Sequence, residues 1–352
     1  SHDVEVYLTT TTSTGHRVAI DRYGKLMVGL GYFPIDWWLF SARAWRRIQP
    51  DLVVLTEGER WPEHMHQAKA RGVPVVCINA RLSDRSYHRL KRFAFVRRAV
   101  LDGITRLLPS SLHDEARFGE LGFPRERMLT TGNIKLDLSI PPLAAGERER
   151  LRRELGLGSG PVLLGSSTWP GEERALLAAW SAARKRGIGC SLLIVPRHAE
   201  RRPELERLLQ AAGVTHHFRS RGAAPGPVDV SVADTTGELR NLTQLADLVF
   251  VGKSLAPNDG GQTPVEAAAL RKPMLMGPRM SNFRSIARDL LATGAAVEVF
   301  DEFALAQEVP ALLADTIRRG AMAGAAGEWQ RANAGAVERT LAVIREELGK
   351  AA

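Results

Sequence analysis

The sequence predicts an α/β protein made of two successive parallel-sheet domains, and three observations carry that reading. Apolar, β-rich runs alternate with helical segments along most of the chain. Those runs are nearly continuous in their apolar character, which fits strands covered on both faces rather than strands with one wet side. The length, 352 residues, exceeds what a single hydrophobic core usually serves.

The runs can be placed in order. In the first half VEVYLTTTT (4–12), DLVVLTE (51–57), VPVVCINA (73–80) and ITRLLPSS (104–111) read as strands. WWLFSARAWRRI and PEHMHQAKA between them have helical composition. The stretch PPLAAGERERLRRELGLGSGP (141–161) changes character, with prolines and glycines flanking a short charged helix. It marks a boundary: a first domain over 1–140, a connection over 141–160, a second domain over 161–325 and a C-terminal helix over 326–352. The alternation restarts with PVLLGSST (161–168), CSLLIVPRH (190–198), VDVSVAD (228–234), ADLVFVGKS (246–254), KPMLMGP (272–278) and AAVEVF (295–300).

Composition narrows the function. Apolar residues make up 44% and charged residues 25%, ordinary for a globular protein in water. No stretch approaches the roughly 20 apolar residues of a membrane span, and the start lacks a signal-peptide pattern. Ser1-His2 reads as a remnant of cloning. Two cysteines, Cys77 and Cys190, are too few for a disulfide framework. The net charge of +9 calls for an anionic partner. Residues 81–98 alone hold seven basic residues and one acidic, either a solvated helix face or a docking surface. Nucleic acid is not expected, because no recognition helix, zinc knuckle or aromatic RNA-binding signature is present.

Ligands of such sheets bind beyond the carboxyl ends of the strands. In the second half those ends carry SSTWPGEE (166–173), PRH (196–198), DTTGEL (234–239), GKS (252–254) and GGQTPVE (260–266). Hydroxyls of Ser167, Thr168 and Ser254, glycine amides and Arg197 are groups that hold a phosphate and a sugar. Gly260 and Gly261 permit a tight turn. Thr263 suits a helix N-cap and Pro264 the first helical position. Glu266 then has two readings: the second half of a capping box, reaching back to the Thr263 amide, or a grip on ribose hydroxyls beside a phosphate at the helix N-terminus. Physics alone leaves them level. In the first half Glu57 ends a strand, where a catalytic or merely solvated acid would sit. Lys135 in GNIKLD (132–137) has the same ambiguity.

Absent motifs matter too. There is no G-x-x-x-x-G-K-[ST] loop, no G-x-G-x-x-G after a strand, no H-E-x-x-H and no D-x-D. His216-His217 reads as a surface pair rather than a ligand pair. No cofactor and no metal are expected, with phosphate charge neutralised by protein groups.

In order, TTTTSTG, PDLVVLTEGERWP, INARLSDRS, GNIKLD, SSTWPGEE, VPRHAER, DTTGEL and GGQTPVEAA resemble the motifs of the Kdo transferases, the 3-deoxy-D-manno-oct-2-ulosonic acid transferases of lipopolysaccharide assembly. The resemblance runs from about residue 4 to residue 300. It implies a GT-B fold, with two Rossmann-like domains facing across a cleft, and inverting, metal-independent transfer of Kdo from CMP-Kdo to a lipid A precursor at the cytoplasmic face of the bacterial inner membrane. Matched motif by motif, it places CMP contacts on Pro196, Arg197, Thr236, Gly237, Glu238, Thr263, Pro264, Val265 and Glu266. It makes Glu57 and Lys135 stabilisers of the transition state, and it favours ribose binding for Glu266. It also gives the basic segment a meaning: Arg85, Arg89 and Arg92 would meet a phosphorylated lipid acceptor on an anionic membrane.

The departures define the rival readings. The family begins with a membrane anchor and a first strand whose V-G-E loop holds the proposed general base. This chain reads as starting at the second strand without that glutamate, leaving Glu57 or Glu59 as substitutes. G-G-S-L becomes GKSL, S-T-H becomes STW and G-G-H-N-P-L-E becomes GGQTPVE. A transferase using another nucleotide sugar, or a non-catalytic relative that binds nucleotide or lipid, follows from these changes.

Overall fold

The computed structural model describes residues 4–351; Ser1 and His2, read above as a cloning remnant, lie outside the described residues with Asp3 and Ala352. The chain divides into two compact units, 1–135 with 335–352, and 136–334.

In the first unit, β1 (Tyr7–Thr10) and β2 (Gly29–Tyr32) pair in parallel as a sheet of their own. A second parallel sheet holds β3 (Val53–Thr56), β4 (Val75–Ala80) and β5 (Arg106–Pro109) in that order. The first expected strand is shorter than 4–12, because Thr12 caps the helix Ser13–Tyr23 through the Gly15 amide at 3.1 Å. β2 was not foreseen: GLGY is four residues long and half glycine, so it carries no β signal. One face of the β3–β5 sheet packs Met65, Ile104, Leu107 and Phe118 into a core. On another cluster Val343 of the final helix, Ala336–Ala351, packs with Val76 and Leu108. The helical tail is therefore two helices, Thr316–Asn333 and Ala336–Ala351. Gly335, with φ of 79°, starts the part that belongs to the first unit.

The second unit is a seven-stranded parallel sheet. Its strands are β6 (Val162–Thr168), β7 (Ser191–Pro196), β8 (His216–Phe218), β9 (Val230–Val232), β10 (Leu248–Val251), β11 (Met274–Met276) and β12 (Ala296–Glu298). Across the sheet the order is β12-β11-β10-β6-β7-β9-β8. Both faces are buried, one beneath Leu151, Leu155 and Trp329, the other beneath Leu176, Trp180 and Leu312. Near-continuous apolar runs such as VLL and LVFV are what that double burial requires. Leu151, Leu155 and Leu157 put the stretch 141–160 inside this unit, and its helix Glu147–Glu154 is packed rather than free. His217 corrects the surface-pair reading: it is buried on β8, and its Nε2 lies 2.9 Å from the Gly222 carbonyl.

The order of this sheet fixes where a ligand goes. From β6 the chain moves to one side, to β7, out to β8 at the edge and back to β9 between them, then crosses to the other side through β10, β11 and β12. The reversal lies between β6 and β10, and the crevice beyond their carboxyl ends is the site such sheets use. Gly252 sets the spacing there, since a methyl group on it would press into the Ser167 carbonyl well inside van der Waals contact. Gly252→Ala is expected to lower stability by about 1–3 kcal/mol, read as a shift in the urea midpoint with an unchanged slope.

Candidate functional site

The chain leaves β6 through a distorted turn. Its register with β7 slips between Ser166 and Thr168, and Ser167 takes the left-handed φ of 53°. The Thr168 hydroxyl donates to Glu173 at 2.8 Å, and Arg201 clamps the same carboxylate at 2.6 and 3.1 Å. Beside it Glu172 is 1% exposed. Its Oε2 accepts from the amides of Trp169 (2.9 Å) and Lys253 (2.8 Å), its Oε1 from those of Ser254 (2.8 Å) and Leu255 (3.2 Å). Burial pushes the Glu172 carboxyl pKa up, and the four N–H donors pull it back. Both oxygens act only as acceptors, so the geometry suits the carboxylate.

This bracing reassigns two residues expected to face a ligand. Thr168 and Ser254 are fully buried. The Ser254 hydroxyl donates to the Val251 carbonyl at 2.6 Å and accepts from the Gly277 amide at 2.8 Å. Both shape the loops; their hydroxyls are spent internally. Ser167 is half-buried at the surface of the turn.

Pro196 ends β7 in the core, while Arg197 next to it is exposed, its amide donating to the Thr168 carbonyl at 3.0 Å. Thr236 and Gly237 are exposed, Gly237 with φ of 86°. Glu238 is held by Arg219 through Nε–Oε2 and Nη2–Oε1 bonds of 2.8 and 2.7 Å, and by the Thr235 hydroxyl. Arg219 keeps the Glu238 pKa below its ordinary 4.5.

The capping box at 263–266 does not form. The short helix is Val265–Ala269 and Pro264 occupies its cap position. Thr263 Oγ1 accepts from the Val265 amide at 3.3 Å, and Glu266 turns to Arg240, whose Nε lies 2.9 Å from Oε1. With Pro264 at the cap, Thr263 stands one position too early for Glu266 to reach back. Val265 is buried in the core, and the two glycines before the motif take φ of 111° and 71°.

The first unit assembles a second group. Glu57, just past β3, and Asn79, in β4, both adopt left-handed backbone, φ 52° and 49°. Asn79 is fully buried; its Nδ2 donates to Glu57 Oε1 at 3.3 Å and its Oδ1 accepts from the Ile134 amide at 3.2 Å. Lys135 Nζ lies 2.5 Å from the same Glu57 oxygen. Glu57 and Lys135, 78 positions apart by their numbers, are thus one ion pair with Asn79 as its buried support. Glu59 is exposed. On the helix Asp84–Arg92 the buried residues are Tyr87 and Leu90; Arg85, Arg89 and Arg92 share the exposed side, followed by exposed Phe93 and Phe95.

Asn79, Glu172, Glu173 and Arg219 were missed by the sequence reading. PGEE directly after a strand was a signal, since paired acids so close to a sheet need partners. Arg219 had none.

Residues 1–138 match the family model described as 3-Deoxy-D-manno-octulosonic-acid transferase (kdotransferase). The 3-deoxy-D-manno-octulosonic acid transferase of Bordetella pertussis is 34% identical over 98% of this chain and 81% of its own. That of Haemophilus influenzae is 31% identical with the same coverage, 98% and 81%. A solved glycosyltransferase from Rickettsia africae aligns with 98% of this chain and 90% of its own at a TM-score of 0.60 and 12% identity, a likeness of fold. The two Rossmann-like parallel-sheet units make that fold GT-B.

The bracing of the β6 and β10 loops is open to test. Glu172→Gln offers one acceptor oxygen to four N–H groups and turns an amide NH₂ toward two of them. We expect a loss of about 1–3 kcal/mol and faster hydrogen exchange at the amides of Lys253, Ser254 and Leu255, with exchange on β8 unchanged.

Proposed function

The chain belongs to the 3-deoxy-D-manno-octulosonic acid transferase family, and we propose that it transfers Kdo from CMP-Kdo to a hydroxyl of a phosphorylated, lipid A-like acceptor. The observation that carries this reading is the extent of the likeness, which spans both units and therefore both groups of residues described above.

In the proposed reaction the acceptor oxygen forms a bond to the anomeric carbon of Kdo as the bond from that carbon to the CMP phosphate breaks. The bonding pair leaves with CMP, the acceptor proton passes to a general base, and the anomeric configuration inverts. The second unit holds the donor: Arg197, exposed at the end of β7, meets the phosphate, and Glu266 takes the ribose hydroxyls. No metal is required in this scheme, because guanidinium and amide groups carry the leaving charge. In the first unit Lys135 is assigned to stabilising negative charge in the transition state. Asn79 and Glu57 position it, Glu57 through the ion pair and Asn79 through its hydrogen bond to Glu57. Glu57 is therefore assigned to positioning and charge balance.

Calorimetric titration with CMP, UMP and GDP, in EDTA and then in Mg²⁺, tests the donor assignment. CMP-selective binding that ignores the metal supports it; preference for UMP or GDP replaces Kdo by another sugar donor. Transfer measured with CMP-Kdo made in situ and a lipid A precursor tests the reaction. Lys135→Ala is expected to lower kcat by about 10²–10³-fold while leaving the affinity for CMP within two-fold, roughly the scatter of such titrations. CMP binding with no transfer at all would instead mark a non-catalytic relative.

We also propose that this chain works at the cytoplasmic face of an inner membrane. Among the described residues no helix is long and apolar enough to cross a membrane, and the support comes from the exposed arginines beside Phe93 and Phe95. Clustered basic residues gain about 1 kcal/mol each at an anionic surface. The triple change Arg85→Glu, Arg89→Glu, Arg92→Glu should abolish sedimentation with phosphatidylglycerol-containing vesicles at low salt. Retained sedimentation would remove these arginines from membrane binding.

A further inference from the structure

Two departures of this sequence from the family pattern, the lysine of GKSL and the tryptophan of STW, are in contact. Lys253 Nζ stands 4.5 Å from the centroid of the Trp169 ring, over its face. The two residues lie at the ends of β10 and β6, on either side of the point where strand order reverses.

The lysine is held there against backbone preference. Its φ is 60°, a conformation that glycine adopts without strain and a lysine does not. The Glu172 carboxylate fixes that turn by accepting its amide. On its other side the ammonium reaches the Gly260–Gly261 turn: a Cβ on Gly260 would lie 3.5 Å from Nζ and 2.6 Å from Asn282 Nδ2. The ammonium makes no ion pair with a carboxylate among the described residues. Glu172, which accepts the Lys253 amide, has both oxygens turned to backbone amides, and Asp259 of the same loop accepts from the Ser281 hydroxyl at 3.3 Å. A positive charge is thus half-buried at the ligand end of the sheet, oriented by an aromatic face and lacking a counter-anion.

A lysine lying on a tryptophan is often only surface packing, worth about 0.5–1 kcal/mol. Packing alone would not favour a left-handed lysine at a position where glycine is free of strain. Away from helix ends, left-handed non-glycine residues persist where the surrounding structure holds them, and they cluster at ligand sites. We propose that Lys253 is a specificity-determining residue of the donor site, its ammonium binding an oxyanion of the activated sugar, with Trp169 as the platform that aims it. The proposal rests on the reading that the second unit binds a CMP-sugar, and it names the chain's own addition to that site. The oxyanion is either the nucleotide phosphate or the sugar carboxylate.

The test compares cytidine and CMP by calorimetry, and CMP-Kdo by its KM, for the whole chain and for Lys253→Gly and Lys253→Arg. Glycine relieves the backbone strain and so offsets the lost ring contact; Lys253→Gly should keep about the parent's stability, which separates binding from folding. We expect it to leave cytidine affinity unchanged and to weaken an anionic ligand roughly 10- to 100-fold, with Lys253→Arg restoring most of the loss. A loss already present with CMP assigns the phosphate; a loss seen only in the KM for CMP-Kdo assigns the carboxylate. Equal losses for cytidine and CMP, or no loss with any of the three, would overturn the role of Lys253 while leaving the donor reading intact. A parent chain that binds no CMP would overturn both.

Discussion

The buried carboxylate of Glu172 is the interaction on which the second unit's ligand end depends. It lies between the loop after β6 and the loop after β10, and accepts four backbone N–H groups that no strand or helix satisfies. Unpaired, each such donor would cost roughly 1–3 kcal/mol. The same carboxylate alone in the interior would be forced to protonate. Each side is tolerable only because the other is present. Three successive amides facing one point make a concavity that binds anions elsewhere; here the protein fills it with its own glutamate. Any ligand at this end of the sheet is therefore met by side chains and by the other loops, not by the amides of 253–255.

That arrangement has a counterpart in the first unit. Six non-glycine residues among those described have positive φ. Gln49 and Arg271 are at helix ends, where the left-handed conformation is a common way to finish. The other four, Glu57, Asn79, Ser167 and Lys253, lie at or just past the carboxyl ends of β3, β4, β6 and β10. Strain of about 1–3 kcal/mol apiece is not needed to end a strand. It turns a side chain that would continue the pleat out toward the loop edge. In the first unit this brings Asn79 beneath Glu57 and Glu57 against Lys135. Sequence-distant charges become a fixed pair because two backbones are bent to aim them.

How much of this was legible follows from which signals are local. The strands of the second unit were visible because burial on both faces demands continuous apolar runs; VLL, SLLIV and LVFV leave little alternative. β2 and β8 were not, since GLGY and HHF are short and lack that composition. Polar clusters such as SSTWPGEE, PRH, DTTGEL and GKS were located correctly at strand ends, but not which of their side chains look outward. Thr168 and Ser254 offered hydroxyls on paper and spend them on Glu173, Val251 and Gly277. Such partners are distant in sequence, and periodicity carries no information about them. The contact between Trp169 and Lys253 was hidden for the same reason: 84 positions by number separate two unusual residues that touch.

Two glutamates were expected to meet the donor, and their salt bridges now distinguish them. Glu238 is gripped by three short bonds from Arg219, a side chain only 16% exposed that also pairs with Glu154 at 3.4 Å. Removing one member of such a network leaves the other charge poorly solvated, so Glu238 does not trade Arg219 for a ligand cheaply. It holds the DTTGEL turn in shape, and the exposed atoms of Thr236 and Gly237 are what that turn presents. Glu266 differs. Its partner Arg240 is 57% exposed and makes a single bond, an interaction of about 0–1 kcal/mol in water. Two ribose hydroxyls donating to a carboxylate compensate such a loss, while Arg240 returns to solvent. The failed capping box is what leaves this carboxylate available. Had Glu266 been tied to the Thr263 amide, ribose binding would have left a helix-end donor unsatisfied; paired instead with an exposed arginine, it can exchange one partner for another.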